Sequence, residues 1–180
     1  RKYSDLAREL AFRPLRMKHS SVELSPKIMA HAAQGHGENG EPVPMRYYAE
    51  QAPSTLTTSV NDFARWMSAG MYSADGVDGA LPRAVLQQMY RPAELSTPRA
   101  ADADVYGMGH FIESLADGSL AVGHNGRNQA GFRANFLMRP ERRDGIVFLS
   151  NSRTGLALDR VICLWKADAG GADPAVACKQ

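Results

Sequence analysis

The sequence predicts an α+β fold, with helices first, then an antiparallel meander, then a helix packed back on the sheet. Three observations carry this. Phe63, Trp66, Met67 and Met71 recur at helical spacing. From residue 105 onward the period shortens to two, as in Leu120 and Val122 and in Phe132, Ala134, Phe136 and Met138. The helical period returns with Leu158, Val161, Ile162 and Trp165.

Each element has a local reason. Ser4 is a candidate cap for a short helix over about Asp5 to Phe12, with Leu6, Leu10 and Ala7 on one face and Pro14 as its stop. Residues 18 to 56 are rich in Pro, Gly and Ser and predict a long ordered loop or a set of short strands. Ser59-Val60-Asn61-Asp62 is an acidic capping box that opens the Phe63 helix. Pro82 starts a third helix carrying Val85, Leu86 and Met89, which ends before Pro92. Residues 93 to 104 read as a polar linker.

Four strands are predicted: Val105 to Glu113, Ser119 to His124, Gly131 to Met138 and Gly145 to Ser150. Asp117-Gly118 is a hairpin signal between the first two. The last strand is apolar on both faces, as for a central strand covered by helices. A helix over about Leu156 to Ala167 follows, and Gly170 to Gln180 has no core-forming pattern. The chain therefore divides into a helical and loop region over 1–104, a sheet with its C-terminal helix over 105–168, and a tail over 169–180.

Bulk properties narrow the function classes. A chain of 180 residues, 44% hydrophobic and 22% charged, can bury a core. A net charge of +2, without a basic run, argues against nucleic acid as a partner. No apolar stretch is long enough to span a membrane. The chain begins Arg1-Lys2-Tyr3 without a Met and reads as a piece of a longer precursor. Cys163 and Cys178 are either a buried thiol and a loose one, or a disulfide pinning the tail to the last helix in an oxidising compartment.

Most short motifs reduce to ordinary structure. Gly35-His36-Gly37-Glu38-Asn39-Gly40 matches a dinucleotide pattern, but no strand precedes it and Pro42 and Pro44 block the helix that would bind a pyrophosphate. It reads as a turn. His31 and His36 lack a third ligand at useful spacing, so no metal or other cofactor is called for. No Gly-x-Ser-x-Gly elbow occurs. No serine stands three residues before any lysine, so the chain holds no lysine-activated serine on a helical turn. Ser59-Val60-Asn61 has the form of a catalytic Ser-x-Asn but the setting of a helix cap.

Gly123-His124-Asn125-Gly126 is the most informative segment. It lies where two alternating runs meet at a polar, Gly-rich turn reaching Gly131-Phe132, and it puts a histidine beside bare backbone at a strand end.

Five segments in order resemble the C-terminal part of the serine β-lactamase-like family, which includes class C β-lactamases, penicillin-binding carboxypeptidases, related esterases and D-aminopeptidases. Phe12-Arg13-Pro14-Leu15-Arg16-Met17 is similar to F-x-P-L-G-M, with Arg16 in place of glycine. Leu56 to Arg65 is similar to L-x-T-T-x-x-D-x-A-R, and Tyr106-Gly107-Met108-Gly109 to Y-G-x-G. Gly123-His124-Asn125-Gly126 with Gly131-Phe132 is similar to G-H-x-G…G-F, and Val147-Phe148-Leu149-Ser150-Asn151 to V-V-L-x-N.

The resemblance implies a β-lactamase/transpeptidase-like fold and a serine hydrolase that acts on an ester, amide or β-lactam through an acyl-enzyme. It implies that His124 stands at the lysine of Lys-Thr-Gly, and that the backbone N–H of Arg127 supplies one oxyanion-hole donor. Asn125, Gly126 and Tyr106 are the implied substrate-contacting residues. Histidine titrates near neutrality while lysine stays charged, which favours ester or amide substrates over those held by a carboxylate. The cationic side chain of Arg127 works against that preference. The family's Ser-x-x-Lys and Tyr-x-Asn motifs are not found here, since Tyr3-Ser4-Asp5 has Asp as its third residue and lies too close to Pro14. This chain alone is therefore expected to be inactive, with the N-terminal part of the same domain as an implied partner. The alternative is a non-catalytic binding or interaction module that keeps the fold. The family is often exported, so a periplasmic or secreted location is favoured over a cytoplasmic one.

Overall fold

The computed structural model describes residues 1–72, 81–93, 105–154 and 156–178. Two compact units share the chain. One comprises 1–68, 126–134 and 147–155; the other comprises 69–125, 135–146 and 156–180.

In the first unit, α1 (Tyr3–Ala7) continues into a π-helical stretch over Arg8–Phe12. Ser4 lies buried inside this helix and does not cap it; Lys2 holds the cap position without a side-chain bond. Leu10, expected on the buried face, is 71% exposed, because the wider π-helical turn shifts the helical face from its 3.6-residue spacing. Arg16 has φ 56, the left-handed region where glycine carries no Cβ penalty. That accounts physically for a glycine at this point of the segment it resembles.

The Pro- and Gly-rich region folds into short pieces. These are α2 (Pro26–Met29), β1 (Gly35–His36), β2 (Pro42–Val43) and α3 (Gln51–Ser54). The Gly35–Gly40 segment is the β1–β2 hairpin, with Gly40 at φ 81. The segment turns there, as the sequence predicts. α4 (Val60–Ala69) starts at Ser59, whose Oγ accepts from Asp62 N at 3.2 Å. Only this half of the capping box forms. The Asp62 carboxylate instead accepts from His19 N at 2.6 Å and from the Ser20 hydroxyl at 3.0 Å.

In the second unit, α5 (Arg83–Met89) follows Pro82 as predicted and buries Leu86, while Val85 is exposed; Tyr90, just past its end, is buried. The linker expected over 93 to 104 lies, from residue 94, outside the described residues.

A five-stranded meander has the order β3-β4-β5-β6-β7: β3 (Val105–Tyr106), β4 (Phe111–Ser114), β5 (Leu120–Arg127), β6 (Arg133–Arg139) and β7 (Asp144–Ser150). β5, β6 and β7 each carry residues of both units. The single strand predicted over Val105 to Glu113 is in fact two, paired antiparallel with Tyr106 opposite Phe111. The chain reverses between them at Gly107–His110. A Cβ on Gly107 would lie 2.7 Å from the carbonyl oxygens of Met89 and Arg91, and Gly109 has φ 74. The Asp117-Gly118 hairpin forms as predicted, with Gly118 at φ 77. The Ser119 hydroxyl and N–H hold the Asp117 carboxyl below the usual carboxylate range, with Arg139 and Arg142 adding to the effect.

β7, read as a central strand, ends the described sheet and its Leu149 is exposed. Apolar residues on both faces report hydrophobicity, not neighbours, so the pattern could not distinguish edge from centre.

α6 (Leu156–Ala169) buries Ile162 and Ala167, and Lys166 reaches Glu113 of β4 at 2.6 Å. Val161, expected in its apolar face, is exposed. The tail is folded through Cys178. It forms α7 (Pro174–Ala177), capped by the Asp173 side chain, and Cys178 is disulfide-bonded to Cys163. Of the two readings of the cysteines, the disulfide is the one present. The cross-link closes a separation of 15 residues, so reduction, or Cys178→Ser, is expected to cost about 3 kcal/mol. Urea unfolding with and without reductant measures it. An unchanged midpoint would mean that α7 adds nothing to the stability of its unit.

Candidate functional site

Burial falls off along β5. Ala121 and Val122 are fully buried, and a Cβ on Gly123 would lie 2.3 Å from the Phe136 carbonyl oxygen. Only glycine allows β5 and β6 this close. His124 is half-buried, and Asn125, Gly126 and Arg127 are exposed. The strand thus carries its histidine out of the packed sheet.

Asn125, Tyr106 and Phe111 hold the His124 ring. Its Nδ1 is 2.6 Å from the Asn125 carbonyl oxygen and its Nε2 is 3.0 Å from the Tyr106 hydroxyl. The ring stacks on Phe111 with centroids 5.0 Å apart and planes at 29°. Tyr106 meets Phe111 edge-on at 5.1 Å. The β3–β4 reversal builds this cluster by bringing Tyr106 back beside Phe111. Of the residues implied for substrate contact, Tyr106 meets His124 directly. Phe111 was not anticipated. Its signal was the Gly107–Gly109 pair, which marks a reversal inside what reads as one strand.

A second histidine lies deeper. His110 is 3% exposed, with Nδ1 donating to the Met108 carbonyl at 2.9 Å and Tyr90 edge-on at 5.2 Å. Burial pushes its pKa below 6.5; the Met108 bond opposes this, and His124 adds to the lowering. The folded state therefore binds fewer protons than the unfolded state near pH 6. Stability from this group is full above the unfolded value and is lost as pH falls below it, with a limiting slope of about 1.4 kcal/mol per pH unit. His110→Phe is expected to flatten the loss of stability between pH 7 and 5, as read by urea unfolding at each pH. An unchanged slope would assign that loss to other groups.

Gly126 and Arg127 belong to the other unit, at the far end of the same strand. A Cβ on Gly126 would meet nothing within 4 Å. The turn that follows is well braced. Asn128 Oδ1 accepts from Ala130 N and Phe132 N at 3.1 and 3.2 Å. Gln129 receives Arg46 on its side chain at 3.0 Å and Arg153 on its carbonyl at 2.6 Å. Gly131, at φ 84, leaves a Cβ only 2.6 Å from the backbone of His36. His36 itself pairs with the Asn151–Arg153 segment, and His31 is exposed. Among the described residues no group of three His, Cys, Asp or Glu side chains could hold a metal ion. No described helix is long and apolar enough to cross a membrane.

The beta-lactamase family profile matches residues 1–167. The chain belongs to the beta-lactamase family. No curated protein matches it. Among solved structures, this beta-lactamase-family chain is similar to the octameric penicillin-binding protein homologue from Pyrococcus abyssi. The TM-score is 0.71 and the identity 20%, over 98% of this chain and 40% of that one. It is also similar to D-alanine carboxypeptidase AmpC from Burkholderia cenocepacia, with a TM-score of 0.73 and 19% identity over 94% of this chain and 55% of that one. A third, SurE, gives a TM-score of 0.67 and 20% identity over 94% of this chain and 40% of that one. The chain thus spans about half the length of these structures or less. At such identity the likeness shows the fold, and the fold is the beta-lactamase/transpeptidase fold implied by the sequence.

Proposed function

We propose that this chain forms one wall of the active site of a serine hydrolase that cleaves an ester or amide through an acyl-enzyme. A β-lactam or a D-amino-acid peptide falls within that class, as in the D-alanine carboxypeptidase it is similar to. The nucleophile comes from sequence outside these 180 residues, which contain no Ser-x-x-Lys. In this reading His124 occupies the third-motif position, the Arg127 N–H stabilises the oxyanion, and Asn125, Gly126 and Tyr106 border the substrate.

The observation that supports it best is the emergence of His124 from the packed sheet, in a chain of this family. The Cys163–Cys178 disulfide fits an exported protein, since disulfides persist in oxidising compartments.

The test uses the full-length parent protein and a serine-reactive phosphonate. Covalent labelling is expected, and His124→Ala is expected to slow it by roughly 100-fold, as when loss of a packed side chain displaces the groups around a site by about 1 Å. The isolated 180-residue chain is expected to give no burst of chromophore from an activated ester. A parent that resists labelling would overturn the hydrolase reading in favour of a binding module. A burst from the isolated chain would overturn the placement of the nucleophile.

A further inference from the structure

We propose that Tyr106 is a positioning residue that locks His124 into one neutral tautomer, with the proton on Nδ1. The argument is one of donors and acceptors. A neutral imidazole has one N–H donor and one bare acceptor nitrogen. Nδ1 lies 2.6 Å from the Asn125 carbonyl oxygen, which can only accept, so Nδ1 carries the proton. Nε2 is then the acceptor, and the group 3.0 Å away is the Tyr106 hydroxyl, which donates to it. The face of the ring is held against Phe111 at 5.0 Å. Both nitrogens and one face are therefore engaged within a single unit of the chain.

The residues that build this lock come from separate places. Val105 and Tyr106 pair with Ile112 and Phe111, and Phe111 pairs with Gly123, so the β3–β4 reversal and the β4–β5 register together bring the hydroxyl to the ring. Histidine free in water favours the proton on Nε2. The geometry here selects the other form, which makes the proposal easy to read out.

The consequence for substrate class rests on the hydrolase reading above. In this neutral form the ring has no free N–H to offer a ligand. A carboxylate gains nothing from it. An uncharged acyl group, ester or amide, loses nothing. Tyr106 would thereby tune the site toward neutral substrates by holding His124, without itself touching the reacting atoms.

The experiment is side-chain ¹⁵N–¹H NMR on the 180-residue chain at pH 8, following the two His124 nitrogens. The wild-type chain is expected to show a protonated Nδ1 and a bare Nε2. Tyr106→Phe removes the hydroxyl and keeps the ring, and is expected to shift the tautomer ratio by roughly five-fold toward Nε2–H, as for the loss of one ordinary hydrogen bond. Phe111→Leu removes the stacking partner but neither hydrogen bond, and is expected to keep the Nδ1–H form. A wild-type chain with the proton on Nε2 would overturn the proposal. So would a ratio that Tyr106→Phe leaves unchanged, or one that both variants shift equally, since packing alone would then set it. The hydrolase reading fails separately. If the tautomer behaves as expected while His124→Ala leaves phosphonate labelling of the full-length protein unchanged, Tyr106 keeps its role and the catalytic assignment falls.

Discussion

Replacing Arg139 with alanine is expected to destabilise the sheet-and-helix unit by about 3 kcal/mol, the low end for breaking a buried ion pair. Arg139 is 9% exposed, and its guanidinium bonds three separate partners. It grips Asp144 in a two-pronged pair, with Nε at 2.8 Å from Oδ1 and Nη2 on Oδ2. Nη1 donates to the carbonyl of Ala169, at the end of α6, and faces Asp117 at 3.4 Å. One side chain therefore joins β6, the β4–β5 hairpin, the start of β7 and the last helix. Alanine would leave the Asp144 carboxylate and a helix-terminal carbonyl without their cation, and Asp117 with Arg142 alone. The estimate stays at the low end because Asp144 is partly exposed and water can replace some of the loss. Arg139→Lys keeps the charge but not the fork, so it should recover only part of the stability. Urea unfolding of the two variants measures both effects, and a loss under about 1 kcal/mol for alanine would show that solvent already screens the pair.

Asp62→Ala is expected to cost about 3 kcal/mol in the other unit. Its carboxylate is 1% exposed and is the shared acceptor for His19 N, the Ser20 hydroxyl and, at 3.2 Å, Arg65. Hydrogen bonds to a charged group are each worth about 1.5–3 kcal/mol, and a buried donor left without its partner keeps its desolvation cost. Asp62→Asn keeps the shape and one acceptor oxygen, so about half the loss should remain. The two variants together separate charge from geometry. If asparagine cost as much as alanine, the charge would carry the interaction. If neither cost more than about 0.5 kcal/mol, like an ordinary surface change, the link between the 19–20 segment and α4 would be structurally idle.

Asp62 also marks the boundary of what the sequence discloses. Its place in the first turn of α4 was legible, because Ser59-x-x-Asp62 is a local pattern with a local cause. Its role as the anchor of a segment 42 residues earlier was not, because no local spacing encodes that approach. The candidate site divides in the same way. The glycines, the turn and the strand leading to His124 were visible as alternation followed by polar punctuation. The Tyr106 and Phe111 contacts were hidden, because Val105 to Glu113 alternates well enough to pass for one strand. The packing of Gly107 against the end of α5 forces the reversal that brings Tyr106 to the ring.

Periods of two and 3.6, caps and turn residues act over a few positions. The sequence alone therefore determined the order of helices and strands, the Asp117-Gly118 hairpin and the family the chain resembles; it ended the third-motif strand at His124, whereas β5 runs on to Arg127 and holds His124 within it. Pairings across long separations depend on register and on which surfaces meet. Only the tertiary structure decided that β7 ends the described sheet, that Cys178 is bonded to Cys163, that Asp62 and Arg139 each hold several segments at once, and that Tyr106 stands at His124. Each is a contact made by folding, between residues whose own neighbourhoods carry no trace of the partner.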